Sequence, residues 1–186
     1  LGTILKNMKI NSVWHITFSG RSLRIDSSSG SRKKGEVTVF TRAIELSSYI
    51  QEDTRIVPDN IAKLMGLRKY IPISEKTAVK TGSFEIKIEN ISSDGLRYNI
   101  FINDTLFFLS FIPDIIKPVQ KDSILLIPAD TFYFNDEDLK KIKNFIDLSK
   151  VKKIFATGDM SEKLGSMFKP GKITVVNEAV QQDIFE

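Results

Sequence analysis

Short apolar runs bounded by turn residues, grouped twice into hairpins followed by strand-helix units, limit most strongly what this chain can fold into. In residues 12–25, Val13, Trp14, Ile16 and Phe18 precede Ser19-Gly20, and Leu23 and Ile25 follow it, which predicts a β-hairpin ending at Asp26. Residues 27–35 (SSSGSRKKG) are polar and without period, so they read as an exposed loop before a short buried strand over 37–40. Residues 41–51 suit a helix or turn leaving that strand, with Ala43 and Ile44 apolar. A strand over 55–57 leads through Pro58 and Asp59 into a short helix, with Ile61, Leu64 and Met65 on one side and Gly66 as its C-cap.

The second group begins with strands over 70–73, 77–79 and 84–88, where Phe84, Ile86 and Ile88 alternate with Glu85, Lys87 and Glu89. Asn103-Asp104 supplies a two-residue turn between strands over 96–102 and 105–111. Ile124, Leu125, Leu126 and Ile127 form a continuous apolar run, typical of a central strand covered on both faces. Asn135 caps a helix to Leu148, in which Asp136, Glu137 and Asp138 complement the dipole and Leu139, Ile142, Phe145 and Ile146 form the buried stripe. A strand over 151–156, a helix over 161–168, a turn over 169–171 and a strand over 172–176 complete the order. Hairpins in both halves with helices following strands predict two packed sheets with helices outside: an α+β, four-layer αββα sandwich of mixed sheets. At 186 residues one core is expected; residues 1–7, ahead of Met8, read equally as a non-native remnant, an upstream extension or a first strand, and 8–186 as a single domain.

Composition removes several chemistries. The chain has no Cys, which excludes disulfides, thiolate metal sites, Fe-S clusters and a Cys nucleophile, and its one His is His15. A zinc site or a Ser-His-Asp hydrolase would have to rest on that one imidazole. No Walker loop, Gly-x-Gly-x-x-Gly or Gly-x-Ser-x-Gly elbow is present, which disfavours nucleotide-cofactor enzymes and α/β-hydrolases. No apolar run suits a membrane span and the first residues lack a signal-peptide pattern, so a soluble, cytoplasmic protein is expected. Lys, Ile and Glu enrichment without Cys would suit a thermophile. The net charge of +4 is mildly basic. Arg21, Arg24, Arg32, Lys33 and Lys34 gather in the hairpin and its loop, with Arg42 nearby, and are the candidate anion or nucleic-acid surface, although Asp26 and Glu36 intrude.

Over roughly residues 8–175 the chain resembles the small UlaG-like branch of the metallo-β-lactamase fold. Trp14-His15-Ile16 stands where that family has Gly-His-Ser, before a hairpin ending in Leu23-Arg24-Ile25-Asp26. Val37-Thr38-Val39-Phe40 runs into Thr41-Arg42-Ala43-Ile44-Glu45-Leu46-Ser47, where the family has Thr-His-x-His-x-Asp-His. The strand and the Thr match; Arg42, Ile44, Leu46 and Ser47 are the degenerate metal-motif positions. Phe111-Ile112-Pro113 stands where the family has Gly-Asp-Thr, whose Asp bridges two metals, unless Asp114 is displaced into that role. Asp122-Ser123-Ile124-Leu125-Leu126-Ile127-Pro128 matches well, and Gly158 or Asp159 follows the strand that would precede the last ligand His.

The resemblance implies a metallo-β-lactamase scaffold whose ligands are lost, with Phe111, Ile44 and Leu46 closing the former metal pocket as a dry site. A metal-free, non-catalytic binding or scaffold protein is expected, without a cofactor, and with a protein partner or a second copy of itself as its ligand. Two alternatives stay open. One is nucleic-acid binding through residues 21–34. The other is an atypical metal-dependent hydrolase using His15 and Asp26, or an oxygen-rich Mg or Ca site from Asp114, Asp130 and Asp159.

Overall fold

The computed structural model describes residues 2–5, 14–18, 21–25, 37–40, 54–82, 84–95, 97–127, 134–156, 159–168, 174–176 and 181–183. The predicted first hairpin forms: β2 (Trp14–Phe18) and β3 (Arg21–Ile25) pair antiparallel, Phe18 opposite Arg21 and Trp14 opposite Ile25. Before them β1 (Gly2–Leu5) pairs with β2, so residues 2–5 form a first strand. After them β4 (Val37–Val39), β5 (Thr54–Val57), α1 (Asp59–Met65) and β6 (Ile71–Pro72) follow. The second half comprises β7 (Ala78–Thr81), β8 (Phe84–Glu89), β9 (Asn99–Ile102), β10 (Thr105–Phe108), β11 (Ser123–Ile127) and α2 (Asp136–Leu148). It ends in β12 (Val151–Ala156), α3 (Asp159–Met167), β13 (Thr174–Val176) and β14 (Gln181–Asp183).

These strands make two sheets, ordered β14-β1-β2-β3-β4-β5-β6 and β13-β12-β11-β10-β9-β8-β7. The same pairings recur in each. From β1 to β6 they are antiparallel, antiparallel, then parallel three times, and from β8 to β13 the succession is identical. An antiparallel strand is added beside the first of each series, β14 on β1 and β7 on β8. β14 has no counterpart in the sequence reading.

Strand alternation assigns the faces. Leu23, Ile25, Val37, Val39 and Ile56 of the first sheet pack with Ile86, Ile88, Ile100, Ile102, Leu126 and Phe155 of the second, and this cluster is the core between the sheets. On the outer face of the first sheet, Phe40 and Val57 pack with Ile61 and Ala62 of α1. On the outer face of the second, Leu125, Ile127, Ile154 and Ala156 pack with Ile142, Phe145 and Ile146 of α2 and Leu164 of α3. Three clusters separated by two sheets are the predicted αββα layering, α+β with mixed sheets.

The caps follow their residues. Asn135 accepts from the Asp138 amide at 2.8 Å while Asp138 accepts from the Asn135 amide at 3.1 Å, a reciprocal capping box. Gly66 ends α1 at φ 66°, a left-handed conformation that a side chain would strain. Asn103 and Asp104 both take positive φ, 50° and 64°, as a tight hairpin between β9 and β10 requires. Two details differ from expectation. Leu64 is 78% exposed, because at 100° per residue Ile61, Ala62 and half-buried Met65 define the inward stripe and Leu64 falls outside it. The third helix starts at Asp159, before the expected 161. No helix among the described residues is long and apolar enough to cross a membrane.

Candidate functional site

The ends of β4 and β10, which by resemblance should deliver metal ligands, meet through a polar network. Tyr98, fully buried ahead of β9, donates its hydroxyl to the carbonyl oxygen of Phe40 at the end of β4, so the two sheets are joined at this edge. The Tyr98 amide donates to Ser110 Oγ at 3.1 Å, and Ser110 Oγ donates in turn to the Tyr98 carbonyl. Ser110 therefore holds backbone and is not poised as a nucleophile beside a base.

Asn99, 1% exposed, is the centre of this edge. Its Oδ1 accepts from the Ser110 and Phe111 amides, each at 3.0 Å. Its Nδ2 donates to the Phe111 carbonyl at 2.9 Å and to Asn90 Oδ1 at 3.0 Å. A carboxamide has two donors and two acceptor sites, and all four are used. Asn90 itself sits at φ 57°, in the left-handed region that Asn tolerates better than most residues. The consequence is that the chain leaving β10 is fixed by a neutral side chain, with half-buried Phe111 at its apex and the Arg97 guanidinium 5.4 Å above the Phe111 ring. This stretch is built from amides, hydroxyls and rings, and Asp114 beyond it is exposed.

The other sequence-derived candidates are placed as follows. His15 lies within β2, opposite Ile4 on one side and Arg24 on the other. Asp159 is the first residue of α3. Asp26, Asp130 and the degenerate motif positions Arg42, Ile44, Leu46 and Ser47 lie outside the described residues, as do Arg32, Lys33 and Lys34. Because β10 and β12 run parallel to β11 between them, Asp114 and Asp159 each follow a strand leaving the same edge of the second sheet. Among the described residues no group of three or more His, Cys, Asp or Glu could hold a metal ion. Asn99, Ser110 and Phe111, the residues that organise the described part of this edge, offer a carboxamide, a hydroxyl and a ring, not the imidazoles and carboxylates of the binuclear centre that the resemblance would imply.

The proposed basic surface is corrected at one position. Arg24 is only 1% exposed, because Leu23 and Ile25 take the inner face of β3 and turn Arg24 to the outer face, where it is covered. It does not contribute to a solvent-facing anion surface. Register aligns it with Thr38 of β4 and Arg55 of β5, and all three are buried, so two guanidiniums flank a threonine on one sheet face. Arg21 stays in β3, opposite Phe18 at the turn end of the hairpin. Neither the buried arginine row nor the Asn99 network was anticipated from sequence. The only trace of the row is its position between inward-facing apolar neighbours, Leu23 and Ile25 around Arg24, and Ile56 beside Arg55.

No protein-family model and no curated protein sequence matches the chain. Among solved structures, the metallo-beta-lactamase fold protein YhfI from Bacillus subtilis superposes with a TM-score of 0.61 at 10% identity, covering 98% of this chain and 99% of that one. A diphosphatase from the PhnP family superposes with a TM-score of 0.53 at 9% identity, covering 91% of this chain and 82% of that one. At such identities the likeness concerns the backbone. The two-sheet topology, the helices on both outer faces and the full-length superposition agree, and the chain has the metallo-β-lactamase fold.

Proposed function

We propose that this protein is a metal-free, non-catalytic member of its fold that works by binding a partner, a protein or a second copy of itself, and needs no cofactor. The observation that supports the reading is the Asn99 network, which fixes the segment leaving β10; by the resemblance, Phe111 in that segment stands in the stretch where the family has its bridging carboxylate. A binuclear hydrolase relies on imidazoles and carboxylates to hold metal and to lower the pKa of bound water. One histidine in 186 residues, with Arg42, Ile44, Leu46 and Ser47 at the ligand positions implied by the resemblance, leaves that chemistry without its donors. The neighbour that is a diphosphatase shares the scaffold, and a scaffold does not bring its activity with it.

The test is metal content by mass spectrometry on untagged protein, as purified without chelator and after incubation with zinc, manganese and iron. A parallel assay follows hydrolysis of bis(p-nitrophenyl) phosphate. Substoichiometric metal and no turnover are expected. Near-stoichiometric metal with turnover that disappears in His15→Ala would overturn the proposal and return the argument to His15, Asp26, Asp114, Asp130 and Asp159.

A further inference from the structure

The second sheet opens at the edge opposite the Asn99 network. β10 and β11 pair at Phe108 and Leu126, and no pairing joins the described residues before them toward the strand starts. Register also shifts between Leu106 and Phe108 in β10, and between Val151 and Lys153 opposite Ser123 and Ile124, which makes Phe107 and Lys152 the extra residues of two bulges. Bulges re-aim side chains and bend the bulged strand, and they concentrate beside functional sites. Both extra residues here line one cavity of about 400 Å³, a volume within the range of small-molecule sites.

Its chemistry is amphipathic. Ile102, Leu106, Phe107 and Ile124 supply apolar wall, and Lys121, Asp122 and Lys152 supply charge. Lys152 lies 3.9 Å from Asp122, both exposed, so these two charges largely offset one another. Among the described residues Lys121 has no acidic partner, which leaves one positive charge uncompensated. Ser123 Oγ, in the same wall, is buried without a hydrogen-bond partner. Buried hydroxyls are normally paired, and one left over beside a cavity is a donor available to a ligand after a small rotation.

We propose that this cavity binds a small amphipathic monoanion, an aliphatic chain ending in one carboxylate, with its apolar body against Phe107 and Ile124 and its carboxylate at Lys121. One net cation suits a singly charged head. The apolar wall suits a body that gains by leaving water. The site lies at the starts of β11 and β12, away from the strand ends where this fold would hold metal, so it stands whether or not the chain holds metal.

The test is titration of the full chain with octanoate and, separately, 1-octanol, followed by amide NMR and calorimetry. Saturable octanoate binding is expected, with shifts centred on Thr105, Phe107, Ser123 and Ile124. Octanoate should bind about tenfold more weakly to Lys121→Glu, while Lys121→Arg retains affinity, and 1-octanol should bind several-fold more weakly than octanoate. Lys121 is exposed, so both variants should fold, and their amide spectra check this directly. Absence of saturable binding, shifts centred elsewhere, equal binding of the alcohol, or undiminished affinity in Lys121→Glu would each overturn the proposal.

Discussion

The Tyr98 hydroxyl donates to the carbonyl oxygen of Phe40, across 58 positions of sequence and from one sheet to the other. Both residues are fully buried, so water does not replace the bond when it is lost. Tyr98→Phe keeps the ring and deletes the donor. It should cost about 1–3 kcal/mol, the range for leaving a buried partner unsatisfied, read as a lower urea midpoint with an unchanged slope. An unaltered midpoint would mean that this bond contributes nothing to joining the sheets.

Asn99 permits a paired comparison. Asn99→Ala deprives the Ser110 and Phe111 amides of their acceptor and should destabilise by about 3 kcal/mol or more. Asn99→Asp keeps an oxygen for those amides but turns its second oxygen toward two acceptors, the Phe111 carbonyl and Asn90 Oδ1, and buries a charge, so at neutral pH it should destabilise at least as much as Asn99→Ala. Amide hydrogen exchange at Ser110 and Phe111 should accelerate in both variants. If the three proteins exchange alike there, the side chain does not hold this segment.

At the start of α2, Asn135→Ala removes the acceptor for the Asp138 amide and with it one half of the capping box. The expected loss is about 1 kcal/mol, measured by thermal or urea unfolding. Asn135→Ser, which keeps a cap oxygen, should recover most of it.

Two groups make an alkaline prediction. The side-chain hydrogen bond to Asp104, followed by that to Glu85, raises the Lys87 pKa above its ordinary 10.5. The hydrogen bond to Asp59 raises the Tyr70 hydroxyl above 10.0, with desolvation adding to it. In both cases the folded value exceeds the unfolded one, so the stabilisation is complete below the unfolded pKa and disappears as pH rises through the folded pKa. The stability difference between wild type and Lys87→Met, or Tyr70→Phe, should therefore be constant near neutrality and shrink toward zero at strongly alkaline pH. Urea midpoints across that range decide it, and a difference that persists undiminished would contradict the assignment.

What sequence reveals here is what local physics dictates. Asn103-Asp104 forces a hairpin, Gly66 accepts a left-handed cap, and Asn135 with Asp138 closes a helix start, because each depends on residues a few positions apart. The strand β8 is legible for the same reason, its alternation being the sheet's own period. Arg24 is different. Its burial depends on what covers the outer face of the first sheet, and its alignment with Thr38 and Arg55 on the register of three strands that no local pattern records. Asn99 bonds to Ser110 and Phe111 only because β9 and β10 place them side by side. Of the expected site, the strand framework was legible in advance. What stands at its strand ends was legible only as a set of missing ligands.

The strand β14 stands to β1 as β7 stands to β8, yet β7 comes directly before its partner whereas β14 arrives after the whole second sheet has been traversed. The first sheet is thus completed by residues from the other half of the chain. Cutting the backbone between β6 and β7 would not yield two self-sufficient halves: the earlier fragment would lack an edge strand, and the later one would carry a strand with nothing to pair against. Folding inherits the same interleaving, since Gly2 can meet Asp183 only through a loop closure that encloses nearly the entire sequence.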